Sequence, residues 1–100
     1  MSYQVRWTEA ARGDLKRLFA FLAEKDVAAA RRAIEAIRQG VVMLESFPFS
    51  CPKVDDKNPF LREILISFGS SGYVALYEVD EGELVTLLAV RHQLEDDYYR

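Results

Sequence analysis

The side chains with chemistry to offer are few and widely spaced. The single histidine, His92, follows Arg91, and the single cysteine, Cys51, precedes Pro52. A lone imidazole at that place is a candidate general base, but a satisfied histidine at the end of a strand is the simpler reading. Cys51 has no His or Cys at ligand spacing, so neither a metal site nor a disulfide is expected, and no cofactor motif is present. Arg62 begins an otherwise apolar row with Ile64, Ile66 and Phe68. It can lie over a sheet edge and pair with a carboxylate, or it can contact a partner. Tyr73 and Tyr77 fall on one face of a strand as core or sheet-surface aromatics. Tyr98 is a candidate lid residue, and Trp7 a core residue.

The elements that must position these groups are concentrated in the second half of the chain. Phe60–Phe68, Tyr73–Val79 and Leu84–His92 are three runs rich in aliphatic, aromatic and β-branched residues. The clusters Gly69-Ser70-Ser71-Gly72 and Asp80-Glu81-Gly82-Glu83 part them. That pattern predicts an antiparallel meander of two hairpins. The last run carries Leu84, Leu88 and Val90 on one parity and Val85, Leu87 and Ala89 on the other, so both faces of that strand should be covered.

The first half supplies the cover. Tyr3–Trp7 alternates as a short opening strand, and Thr8 is placed to cap a helix from Glu9 to about Ala23 with a stripe of Ala11, Leu15, Leu18 and Leu22, widened by Phe19. Asp26 caps a second helix from Val27 to about Glu45, with Ala30, Ala33, Ile34, Ile37, Val41 and Leu44 inward. So short a link predicts an antiparallel helical hairpin. Residues 46–59 hold the 3 prolines of the chain, which precludes a helix or inner strand and predicts a long loop pinned by Phe47 and Phe49. The fold class is therefore α+β: a β-α-α-β-β-β order, with the helical hairpin on an antiparallel sheet and a short tail. One helical layer leaves the opposite face of the sheet partly bare for another chain, unless the Pro-rich loop and the Tyr98-Tyr99 tail fold over it.

Composition bounds the function classes. One hundred residues, half of them apolar, make one folded domain with no internal repeat. No leader or long apolar run is present, so a soluble cytoplasmic protein with no membrane segment is expected. Residues 1–45 carry eight Lys and Arg against six Asp and Glu, and residues 46–100 five against ten. A protein that grips nucleic acid by phosphate neutralisation carries a basic surplus, so direct DNA binding is not expected, although a local basic patch on the helices remains open.

Val5-Arg6-Trp7-Thr8, Ala10, Ala11, Asp14 and Leu15, then Ala30 and Ala33, Leu44 with Pro48, Leu61-Arg62-Glu63, Gly72-Tyr73-Val74 with Tyr77, and Ala89-Val90-Arg91-His92 with Tyr98 form an ordered set. Over about Tyr3 to Tyr98 it resembles the RelE/ParE toxins of type II toxin-antitoxin pairs, also called plasmid-stabilisation proteins. The resemblance implies a helical hairpin on a sheet, held inactive by a cognate antitoxin whose C-terminal segment wraps the toxin. Arg62, Tyr73, Tyr77, Arg91, His92 and Tyr98 are then candidates for contact with antitoxin or target.

Members similar to RelE cut messenger RNA on the ribosome, and members similar to ParE poison DNA gyrase. Metal-free RNA cleavage needs a base for the 2′-hydroxyl, an acid for the leaving oxygen and cations around the phosphate. Arg62, Arg91, His92 and Tyr98 are the residues that could serve, and Glu95-Asp96-Asp97 beside Tyr98 would repel the phosphate. That thin set, with the ending Val90-Arg91-His92, resembles the ParE branch. A non-catalytic gyrase inhibitor is therefore expected, with a ribosome-dependent endoribonuclease or an inactive, toxin-like binding module as the alternatives.

Overall fold

The computed structural model describes residues 2–95. Strand β1 (Gln4–Trp7) leads into helices α1 (Glu9–Ala23) and α2 (Val27–Val42), which a 3-10 turn at Met43–Glu45 extends. Strands β2 (Lys53–Asp55), β3 (Asn58–Phe68), β4 (Ser71–Val79) and β5 (Leu84–His92) follow. Both helix caps act as their residue types require. Thr8 Oγ1 accepts the Ala11 amide at 3.1 Å, and Asp26 Oδ1 accepts the Ala29 amide at 3.0 Å.

The sheet has the order β1-β5-β4-β3-β2. The meander is antiparallel as expected, but β1 lies parallel to β5, with Val5 beside Val85 and Trp7 beside Leu87, so the sheet is mixed. The helical hairpin accounts for this, because it carries the chain from one edge strand over the sheet to the far edge, and β5 then returns beside β1 in the same direction. The Pro-rich loop also holds more order than its prolines suggest. Beyond Pro52 it forms the three-residue edge strand β2, which turns at Asp56 and Lys57 into a β3 that begins at Asn58. Prolines exclude an inner strand but not a short outer one.

A bulge corrects the expected parity of β5. Leu76 pairs with Ala89 but Tyr77 pairs with Leu87, so Leu88 is the extra residue. The faces therefore exchange at that point. Val85 and Leu87 before the bulge and Val90 after it all enter the helix-facing core, with Ile66, Tyr73, Ala75, Tyr77 and Val79. Arg91 and Ala89 share the opposite face with Leu65, Val74, Leu76 and Glu78.

That helix-free face, expected to be partly bare, is covered at its centre and open towards the β3–β2 edge. Val74, Leu76 and Ala89 at its centre are buried, while Leu65 on β3 is 61% and Val54 on β2 45% exposed. Tyr98 and Tyr99, the tail residues expected to fold over it, lie outside the described residues.

Two glycines set close approaches, one between helix and sheet and one between neighbouring strands. A Cβ at Gly40 on α2 would stand 2.8 Å from Ile66 Cγ1, so its absence lets the helix settle on β3. A Cβ at Gly72 would stand 2.1 Å from the Ile66 carbonyl oxygen, where nothing can yield. The intervening turn has Gly69 at φ 63°, the left-handed position required of the first turn residue in a two-residue hairpin of this kind. Gly72→Ala is expected to lower stability by about 1–3 kcal/mol. Urea denaturation followed by circular dichroism measures this, and an unchanged midpoint would contradict the close approach.

Candidate functional site

Arg62 points inward along the loop rather than to solvent. Its Nε donates to the Pro59 carbonyl at 2.8 Å, and Nη1 donates to the carbonyls of Phe49 at 2.9 Å and Cys51 at 2.7 Å. The guanidinium also sits 5.0 Å from the centre of the Phe49 ring. The expected carboxylate partner is replaced by three backbone carbonyls, because the proline-broken loop cannot satisfy them in a ladder.

Tyr77 completes the clamp. It is fully buried, and its hydroxyl donates to the Pro48 carbonyl at 2.6 Å. Burial pushes its phenol far above the ordinary value, the adjacent Cys51 adds to this, and Arg62 opposes it. The loop is thus held by Arg62, Tyr77 and buried Pro48 rather than by both phenylalanines. Phe47 stays 59% exposed, while Phe49 stacks edge-on against Tyr3 and Phe60 at the surface. A partner could reach Tyr77 only by lifting the loop.

His92 is held at the other end of the sheet. Its Nδ1 accepts the Leu94 amide at 3.2 Å, so this nitrogen carries no proton and Nε2 donates to Ser71 Oγ at 3.1 Å. Tyr73 packs edge-on to the imidazole at 5.4 Å, and burial raises the Tyr73 phenol. Arg91, one residue back, faces the opposite side of the sheet, where Nη1 donates to the Glu95 carbonyl at 2.9 Å. Arg62 is two strands across from His92 and four residues along, a separation of about 16 Å at ordinary strand spacings. The residues named for RNA cleavage therefore do not converge, and Tyr98 lies outside the described residues.

What does converge around Tyr73 and His92 is an apolar pocket of about 520 Å³. Leu18, Phe21 and Leu22 of α1 form one wall, Leu94 closes the end, and the Arg17–Glu95 ion pair at 3.2 Å borders it. Phe21 and Leu94 are 69% and 78% exposed, which leaves two large apolar groups at its mouth. The sequence carried a signal for Phe21, since it falls outside the stripe of α1 that enters the core. Among the described residues, no cluster of three His, Cys, Asp or Glu stands ready for a metal ion.

The backbone offers a second kind of site. Tyr3 donates outward to the Glu45 carbonyl, while Gln4 donates to the Glu83 carbonyl just before β5 and Thr8 to Leu87 within it, so the alternating ladder directs the backbone groups of Val5 and Trp7 outward at the sheet edge. Likewise Glu63 donates to the Pro52 carbonyl, which places Leu65 and Ser67 on the β3 edge beyond the end of β2. These N–H and C=O groups have no partner among the described residues, and each edge can accept an added strand.

Two outcomes are expected from these contacts. Arg62→Ala should cost roughly 0.5–1.5 kcal/mol and open the loop at residues 46–52 to limited proteolysis, since one donor group to three largely exposed loop carbonyls is lost. Unaltered cleavage would show that the clamp does not hold the loop. For Tyr77, the raised phenol means that the folded chain binds this proton more tightly than the unfolded one. That contribution is complete below about pH 10 and is lost as pH rises beyond it. Exposed phenols should therefore ionise first, with the Tyr77 phenolate absorbance appearing only as the helical circular dichroism collapses.

Comparison with known proteins places this geometry in a family. The family model for the ParE toxin of the type II toxin-antitoxin system parDE matches residues 5–97. No curated protein matches the chain in sequence. Among solved structures, the chain is similar to the chromosomal ParDE toxin-antitoxin system of P. aeruginosa, with a TM-score of 0.71 and 17% identity over 91% of this chain and 96% of that one. It is also similar to the RelBE2 toxin-antitoxin complex of Mycobacterium tuberculosis, with a TM-score of 0.66 and 23% identity over 93% and 100% of the two chains. The free E. coli toxin RelE, as an arginine double mutant, gives a TM-score of 0.69 and 19% identity over 99% and 92%. At such identities the three likenesses establish the shared fold, while the family match spans nearly the whole chain. The chain therefore belongs to the ParE toxin family of type II toxin-antitoxin systems.

Proposed function

We propose that this protein arrests growth as a non-catalytic inhibitor of DNA gyrase in the cytoplasm, and that a cognate antitoxin holds it inactive by wrapping its C-terminal segment around the toxin. The match of residues 5–97 to the ParE toxin family is the observation that carries this reading. The geometry supports it from two sides. Arg62 is engaged by three loop carbonyls and the Nδ1 lone pair of His92 by the Leu94 amide, so neither is poised for acid–base work on a phosphodiester. The free backbone groups of β1 and β3, with the apolar pocket beside Phe21 and Leu94, are surfaces suited to a wrapping polypeptide. No described helix is long and apolar enough to cross a membrane.

Expression without the antitoxin should stop growth, and the purified chain should block supercoiling by purified gyrase. Mapping of transcript ends in the same cells should show no new cleavage sites within reading frames. His92→Gln, which removes an imidazole base while retaining polar contacts, should leave growth arrest unchanged. Cleaved transcripts together with a non-toxic His92→Gln would establish the endoribonuclease alternative. Unimpaired growth on expression of the unaltered chain would instead indicate a toxin-like module that only binds.

A further inference from the structure

The pocket of about 520 Å³ beside the last turns of α1 falls within the usual size range of small-molecule sites. Leu18, Phe21 and Leu22 of α1, with Leu94, make its walls apolar, and its polar members are Arg17, Tyr73, His92 and Glu95. Arg17, His92 and Glu95 are already engaged. Arg17 pairs with Glu95 at 3.2 Å, and Glu95 Oε1 also accepts the His92 amide at 2.8 Å. Both ring nitrogens of His92 are used, Nδ1 by the Leu94 amide and Nε2 by Ser71. Tyr73 is the exception: it is only 5% exposed, and its hydroxyl has no hydrogen-bond partner among the described residues. That hydroxyl is not sealed off, so whatever fills the pocket can meet it. The ring is held edge-on to His92 at 5.4 Å and tilted against Phe68 at 6.2 Å, which fixes the donor before anything binds. Burial raises the phenol above its ordinary value and keeps it protonated at neutral pH.

We propose that this pocket binds a small, neutral aromatic carbonyl compound, its ring system lying between Leu18, Phe21, Leu22 and Leu94 and its oxygen accepting from the Tyr73 hydroxyl. The lining selects each part of that description. Arg17 and Glu95 cancel each other at the rim, so a charged ligand would enter an apolar space with no counter-charge free to meet it. A Leu, Ile, Val or Phe side chain from a polypeptide would fill the walls but carries no acceptor, and it would close over the phenol with its donor unmet. Phe21, Tyr73 and His92 bring three rings to the lining, which an aromatic body can meet edge-on or offset. The exposed groups Phe21 and Leu94 at the mouth can still meet a wrapping polypeptide, because the ligand occupies the space beneath them. This site goes beyond the gyrase reading and does not rest on it.

The test uses the full chain and prodan, a neutral naphthyl ketone whose emission reports the polarity around it and hydrogen bonding to its carbonyl. An alkyl naphthalene of similar size without the ketone and a naphthalenesulfonate serve as comparisons, measured by displacement. Prodan should bind saturably at one site, with the alkyl compound several times weaker and the sulfonate weaker still. Tyr73→Phe keeps the ring and removes only the hydroxyl, so it should weaken prodan about three- to tenfold and leave the alkyl compound unchanged. Phe21→Ala, at an exposed position, should weaken both alike, and Phe19→Ala, in the separate seam between the helices, neither. Should Tyr73→Phe fail to fold by circular dichroism, Phe21→Ala and the preference of the unaltered chain for the ketone carry the test. A pocket taken by residues 96–100 of the chain itself would give no saturable binding, and a merely apolar one would take the alkyl compound as tightly as the ketone. Either result, or undiminished prodan affinity in a folded Tyr73→Phe variant, would overturn the proposal.

Discussion

The Asp14 carboxylate reaches from α1 to accept the Val90 amide at 2.8 Å, and the placement of the whole helical layer follows from that contact. Strand β1 ends at Trp7, beside Leu87, so the remainder of β5 has no neighbouring strand on that side. Leaving such an amide unpaired in a partly buried setting would cost about 1–3 kcal/mol. Thr8 Oγ1, donating to the Leu87 carbonyl at 2.7 Å, and Asp14 together bind the N-terminal half of α1 along that gap. The His92 amide is closed in turn by Glu95 Oε1 at 2.8 Å. With α1 fixed along β5, the short link brings α2 down over β3, where Gly40 admits Ile66.

This arrangement decides which sheet edges a partner can use. The exposed end of β5 is sealed by side chains from its own molecule, a common protection against unwanted strand pairing. The outward groups of Val5 and Trp7 on β1, and of Leu65 and Ser67 on β3, have no such cover among the described residues. A toxin controlled by an antitoxin needs surfaces that stay open when it is alone, and the two open edges with the pocket beside His92 meet that need. The polar side chains that looked most chemical hold loops in this structure: Arg62 and Tyr77 at one end of the sheet, His92 with Ser71 at the other.

Much of this was legible from residue types and spacing. Thr8 and Asp26 mark both helix starts, the stripe of Ala11, Leu15, Leu18 and Leu22 marks the buried side of α1, and the turn clusters divide the meander correctly. The site was far less legible. Arg62 and Tyr77 were visible as polar groups on strands, but their carbonyl partners lie in a loop whose path no periodicity describes. Period-two reading also failed at Leu88, because a bulge adds one residue without altering the apolar character of the run.

Local chemistry, then, was determined by the sequence itself: caps, turn glycines, helical stripes and strand runs depend on neighbours within a few positions of one another. Only the tertiary structure decided that β1 lies parallel to β5, which edges remain open, and that Phe21, Tyr73, His92 and Leu94 surround one apolar pocket. Those outcomes depend on contacts between residues far apart in the chain. Such contacts are set by how two layers fit together, a property that no single stretch carries.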